Sequence, residues 1–182
     1  MKQLLILLIS LTGANIIVAQ SILPFTANTR IYIVRHAEKQ TGTDPLLTVD
    51  GNKRAGDLMS ALQSKKIKRI YVSEFQRTQH TADSLRLQLG IDTVQSIADT
   101  SCVNLFAAIK KNKDQRRHIL IITHSNIIPK IIYKLGITSF PQQNIPDTEF
   151  DNLYLVTFKN GKAKLKHTKY GKPSTTSAAI IQ

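Results

Sequence analysis

The sequence predicts an α/β fold: a three-layer sandwich with a mostly parallel central sheet, helices on both faces and an antiparallel C-terminal hairpin. Three observations carry this reading. Short, near-continuous apolar runs recur at residues 31–34, 70–72 and 119–122. Such runs suit parallel strands covered on both faces. Segments of helical period lie between them. Near the end, Asn160-Gly161 separates two β-prone stretches, the strongest short signal for a hairpin.

The elements follow in order. Residues 30–34 read as a strand. Residues 50–64 read as a helix that places Ala55, Leu58, Met59 and Leu62 on one face. Residues 67–72 lead into a second strand. Residues 75–89 form a helix with Gly90 as its stop, and a short strand over 93–97 is compatible with the pattern. A third helix over 102–112 packs Leu105, Phe106 and Ile109. Residues 118–123 are the clearest central strand. A helix over 126–135 follows, with Asn126 as N-cap and Gly136 as stop. Pro129 then falls at the third helical position, where a missing N–H loses no intrahelical partner. Strands over 153–158 and 163–167 flank the Asn-Gly turn.

A chain of 182 residues with 42% apolar content suits one globular domain with a sizeable core. Its first residues, MKQLLILLISLTGANIIVAQ, read as a signal peptide: Lys2 is the charged start, residues 4–11 are apolar, and Ala19 is a small residue at the cleavage point. The apolar run breaks at residues 12–15, short of the ~20 residues that span a bilayer. The expected organisation is a signal peptide over 1–19, a domain over 20–170 and a flexible tail over 171–182. The mature protein is expected to be exported, periplasmic or secreted, with no membrane span. No cysteine follows the apolar run to carry a lipid. The single thiol, Cys102, allows neither an internal disulfide nor a cysteine metal cluster.

The polar residues at the strand ends point to chemistry. Arg35 and His36 follow the first strand. Ser73, Glu74 and Arg77 follow the second. His124, Ser125 and Asn126 follow the central one. In open α/β sheets, ligands bind beyond the carboxyl ends of the strands, so these groups can converge in one cleft. Two arginines and two histidines there suit a dianionic phosphoryl group, because guanidinium forks bind its oxygens in bidentate fashion. Histidine can act as an in-line nucleophile, and surrounding positive charge stabilises the transition state. Each residue alone has a plainer explanation: an Arg35–Glu38 surface pair, a hydrogen-bonded His124 at a strand end, a solvated Arg77. His80, His118 and His167 receive no role, and no pair of them has metal-ligand spacing.

The order of the motifs resembles the histidine phosphatase superfamily, also called phosphoglycerate mutase-like, over residues 30–158. Arg35-His36-Ala37-Glu38 is similar to its Arg-His-Gly/Ala-Glu signature. Leu47-Thr48 with Gly51 and Ala55 resembles "LT..G..QA", with Lys53-Arg54 departing from the usual glutamine. Residues 71–82, YVSEFQRTQHTA, resemble "YSSPLQRTRQTA", and residues 121–126, IITHSN, resemble "VVGHSN". The resemblance implies that His36 is transiently phosphorylated, that Arg35, Arg77 and His124 hold the phosphoryl oxygens, and that water then hydrolyses the phosphohistidine. It implies neither a metal nor an organic cofactor. Ser73 and Asn126 are expected to add hydrogen bonds at the rim.

The expected function is therefore metal-independent phosphomonoester hydrolysis by an exported protein. The partner would be a phosphorylated small molecule or a phosphoprotein. The alternatives are a non-catalytic phosphate-binding protein on the same fold and a mutase-like phosphotransferase. Transfer is disfavoured because only 40 residues separate His36 from Arg77 and 46 separate Arg77 from His124, leaving no evident insertion to exclude water. The resemblance also implies a carboxylic acid between Arg77 and His124. Asp99, after the strand over 93–97, is the best placed of Asp83, Asp92, Asp99 and Asp114; Asp147, Glu149 and Glu38 are rivals. Without an acid, worth typically ~10²–10⁴-fold, good leaving groups such as phenolate, an anhydride phosphate or imidazole are favoured.

The net charge is +13, of which Lys2 alone lies in the first 20 residues. Residues 65–69, 110–117 and 159–172 hold much of it. The first two clusters precede strands, which places them at the sheet edge opposite the site, solvated or bound to something anionic such as a membrane surface or a polyanion. With no nucleic-acid motif and 6% aromatics, no specific nucleic-acid partner is expected.

Overall fold

In the computed structural model, which describes residues 23–141 and 143–174, β1 (Arg30–Arg35) occupies the interior of a six-stranded sheet. It pairs in parallel with β4 (His118–Thr123) on one side. On the other it pairs antiparallel with β5 (Asn152–Lys159), which continues into β6 (Lys162–Lys169). Beyond β4 lie β2 (Arg69–Val72) and β3 (Thr93–Gln95), both parallel, giving the order β3-β2-β4-β1-β5-β6. Because β1, β2 and β4 run in parallel, their carboxyl ends share one edge.

Alternation along the strands divides the core into two layers. Tyr32 and Val34 of β1 join Ile70 and Val72 of β2 and Leu120 and Ile122 of β4 on one face. There they pack against Leu58 and Leu62 of α1 (Val49–Leu62) and Ala82 and Leu85 of α2 (Gln76–Leu89). Ile31 and Ile33 point the other way. They meet Leu105, Phe106 and Ile109 of α3 (Val103–Lys111) and Ile128, Ile131 and Ile132 of α4 (Ile128–Lys134). Each fully buried side chain of this kind contributes roughly 1.5–3 kcal/mol. The three-layer sandwich expected from the apolar runs is the architecture observed.

The element boundaries move where local chemistry overrides the pattern. Residues 124–127 form a turn closed by Ile127 N–H and Ile128 N–H donating to the His124 carbonyl, at 3.0 and 3.1 Å. The helix therefore starts at Ile128, with Ile127 rather than Asn126 at the cap and Pro129 in its first turn. Residues 114–116, read as basic loop, make a 3-10 turn. The hairpin turn lies at Asn160-Gly161, both at positive φ (50° and 73°), as a two-residue turn of the primed type requires.

Two chain ends bear on the expected organisation. The signal-peptide reading of residues 1–19 lies outside the described residues. Among the described residues, no helix is long and apolar enough to cross a membrane. The tail expected to be loose is tied down over residues 171–174. Lys172 O accepts from Arg54 Nη1 at 3.0 Å. Ser174 Oγ accepts from Phe150 N–H at 2.8 Å, and Ser174 N–H donates to Asp151 Oδ2 at 3.1 Å. Residues 175–182 lie outside the described part.

Gly51, in the first turn of α1, sits directly under the β1 end: a Cβ there would fall 2.0 Å from the Glu38 carbonyl oxygen. At Gly56, one turn on, a Cβ would meet nothing within 4 Å. Urea unfolding should find Gly51→Ala destabilised by roughly 1–3 kcal/mol or more through overpacking, and Gly56→Ala stabilised by up to about 1 kcal/mol through helix propensity.

Candidate active site

The backbone leaving β1 is fixed on every side. His36 N–H donates to Thr123 O at 2.9 Å, prolonging the β1–β4 ladder by one residue. Ala37 N–H donates to Thr81 Oγ1 at 2.9 Å, and that hydroxyl donates to Arg77 O at 2.6 Å. Thr48, the N-cap of α1, donates its N–H to Glu38 O at 2.9 Å and accepts from Gly51 N–H at 3.0 Å. Arg54, buried and one turn further, grips the Glu38 carboxylate with Nε and Nη2 at 2.7–2.8 Å. Glu38 is thus a structural anion paired with Arg54, neither Arg35's partner nor a free proton donor.

His36 is 3% exposed. Its Nδ1 lies 2.8 Å from Ala37 O; since a carbonyl only accepts, Nδ1 carries the proton and Nε2 keeps its lone pair. Burial, reinforced by the Arg35, His124 and Arg77 charges and opposed by the Ala37 carbonyl, pushes the ring pKa down to about 3. The His124 ring lies 5.4 Å away, at 61° to it. Burial, then the Arg77 charge, lowers its pKa to about 4, against an opposing pull from Glu74. His124 Nε2 is 3.0 Å from Ser73 Oγ. Ser73 is in turn held by Thr78 Oγ1 at 3.0 Å.

The two arginines flank this pair. Arg35 gives Nη1 to the carbonyls of Pro146 and Asp147, both at 3.0 Å, and Nη2 to Asp147 Oδ1 at 3.1 Å. Its guanidinium lies 4.2 Å over the Phe150 ring. Arg77 stacks likewise over Phe75 at 4.2 Å and faces Asp44 at 3.6 Å. Each arginine buries an Nε with no hydrogen-bond partner among the described residues. A buried donor left unsatisfied costs about 1–3 kcal/mol.

His36, Arg77, His124 and Asn126 line one open cleft of about 300 Å³, with Lys39 and Phe75. Arg35 does not line it, but its charge acts on both His36 and His124. Two expected residues stand elsewhere. Ser73 lies buried behind His124 and orients it instead of reaching the rim. Asp99 does not line the cleft. Its carboxylate accepts from Ser101 Oγ and from Asn104 Nδ2, which hold its pKa below the usual range. That environment favours the ionised form, the wrong state for a proton donor. The rivals are engaged too: Asp147 with Arg35, and Glu149 with Asn152 and Lys169 at 2.8 and 3.3 Å. Asp114 is buried at the far sheet edge against Tyr71, Arg69 and Arg117.

The supporting residues were missed from sequence. Thr78 and Thr81 carried a usable signal, since they lie on the buried face of α2, where a hydroxyl must find a partner. Phe150 and the carbonyls of residues 146–149 carried none.

Residues 31–101 match the family model of the histidine phosphatase superfamily (branch 1). No curated protein matches the chain significantly. The chain is similar in structure to the protein histidine phosphatase SixA complexed with tungstate, at 20% identity over 77% of this chain and 96% of that one, with a TM-score of 0.55. It is similar to the alpha-ribazole phosphatase from Shigella flexneri at 16% identity, over 77% and 96% of the two chains, with a TM-score of 0.59. It is also similar to a mycobacterial glucosyl-3-phosphoglycerate phosphatase at 13% identity, over 78% and 99%, with a TM-score of 0.57. The fold is that of the histidine phosphatases, and the family named from the motifs is the one whose model matches.

A pKa of about 3 for His36 and about 4 for His124 keeps both rings neutral down to pH 5. Imidazole NMR should show neither ring titrating between pH 8 and 5, whereas an ordinary histidine changes charge near pH ~6.5. A midpoint near 6.5 at either ring, assigned with His36→Gln, would contradict the burial described.

Proposed function

We propose that the chain is a metal-independent phosphatase that hydrolyses phosphomonoesters through a phosphohistidine at His36. The observation that carries this reading is the neutral, Nδ1-protonated His36 in one cleft with Arg77 and His124, within reach of the Arg35 charge. Nε2 attacks phosphorus, the bond from phosphorus to the leaving oxygen breaks, and the leaving group departs with the electron pair. The imidazolium so formed is stabilised by Nδ1–H donating to Ala37 O. Arg77 and His124, which line the cleft, face the charge on the equatorial oxygens, Arg35 adds the positive charge that acts on His36, and Asn126 at the mouth is a further donor. Water then attacks phosphorus, the P–N bond breaks, and Nε2 recovers its lone pair as the water proton passes to solvent or the product.

The substrate class follows from the lining. The residues that line the cleft include no carboxylate. A leaving group that needs no protonation, such as a phenolate, fits this site best. The cleft is open, so an intermediate formed in it meets water, and hydrolysis is favoured over mutase-type transfer. The leader-like residues 1–19 support export, which places the substrate outside the cytoplasm.

With p-nitrophenyl phosphate in excess EDTA, turnover should be abolished in His36→Ala. It should fall roughly 10²–10³-fold in Arg77→Ala, as for loss of one charge-stabilising donor. Turnover that survives in His36→Ala, or that requires an added metal, would sink the mechanism.

A further inference from the structure

A second concave surface lies at the amino-terminal edge of the sheet, away from the cleft. It is a groove of about 810 Å³ between the C-terminal end of α1 and the outer face of the β5–β6 hairpin. Four cations line it: Arg30 at the start of β1, Lys65 and Lys66 after α1, and Lys166 on β6. None of the four lies within ion-pair distance of a carboxylate among the described residues, and the groove lining contains no acid. His118 braces the wall, donating from Nδ1 to Lys65 O at 2.8 Å and accepting at Nε2 from Arg30 Nη1 at 3.2 Å. Lys66 has φ 57°, a left-handed conformation that glycine adopts more readily.

The floor is apolar. Antiparallel register puts Leu153 and Leu155 of β5 on the same face as Thr168 and Lys166 of β6. This is the face that α1 and α2 cover over the central strands but leave half-exposed at the hairpin. Cations on the rim and leucines on the floor define the ligand. We infer that this groove binds an extended acidic segment of a partner protein, one that alternates carboxylates with apolar side chains. In an extended peptide successive side chains point to opposite sides, so the apolar ones reach the leucines while the carboxylates face the lysines. A sugar or nucleic-acid polyanion would match the charge but leave the leucines wet. A fatty acid would match the floor but offers one carboxylate to four cations. A flat membrane surface does not enter a groove.

The test is fluorescence anisotropy of a short fluorescein-labelled peptide of alternating Glu and Leu, titrated with the folded protein. Binding should weaken by roughly tenfold or more in Lys65→Glu/Lys66→Glu/Lys166→Glu, as for lost charge complementarity, and should weaken as salt is raised. Hydrolysis of p-nitrophenyl phosphate should be unchanged in that variant, since none of the three residues belongs to the cleft. Leu155→Ser should weaken the peptide while leaving any binding of a heparin fragment unaltered. No peptide binding, or binding equal in the triple variant, would overturn the inference. A heparin fragment that binds more tightly than the peptide, with Leu155→Ser without effect on either, would reassign the groove to a sugar polyanion.

Discussion

The structure depends on how the chain leaves β1. Residues 36–38 each give up their backbone freedom to a different partner: His36 N–H to β4, Ala37 N–H to α2, and Glu38 O to the start of α1. Those three tethers make the position of His36 a consequence of the whole sandwich. A helix could not approach so closely with a side chain at residue 51, which is why a glycine stands under the Glu38 carbonyl. The Glu38–Arg54 pair, with Arg54 buried and Glu38 half-buried, adds a charge-assisted lock. Removing Glu38 would leave the buried Arg54 charge uncompensated.

The same constraint sets the electrostatics. The role proposed for His36 requires a neutral ring beside cations that favour anions. Burial and the arginines act in the same direction, so the ring that would lose its lone pair on protonation is protected from it. The arginines are themselves held in place, Arg35 by the carbonyls of residues 146–147 and the Phe150 face, Arg77 by Phe75 and Asp44. Preorganised charge of this kind needs little rearrangement when an anionic transition state forms. At the opposite sheet edge the arrangement differs. There Asp114, fully buried, pairs with Arg69 and Arg117 and accepts from the Tyr71 hydroxyl at 2.6 Å. Within the 110–117 segment the buried group is thus the acid, and its cations stay at the surface.

Much of this was legible in the sequence, and the reasons are local. Strands of β-branched residues, an Asn-Gly turn and helical periods are short-range patterns, so the fold and the carboxyl-end placement of Arg35, His36, Arg77 and His124 followed from them. Asn126 was misread as a helix cap because its side chain type favours caps; the His124 carbonyl instead accepts two amides and closes a turn first. Asp99 was favoured as an acid because it follows a strand. Yet β3 ends at Gln95, and the Asp99 carboxylate turns to Ser101 and Asn104.

The sequence alone determined which chemical groups this protein carries to one edge of a parallel sheet, because strand direction fixes which end of each strand bears them. Only the tertiary structure decided what each group does there. Ser73 became a support for His124, Glu38 became Arg54's partner, and Arg35 was bound to a loop more than a hundred positions away. The physical reason is that partner choice among polar groups depends on distances across the fold, and short-range sequence patterns carry no record of those distances.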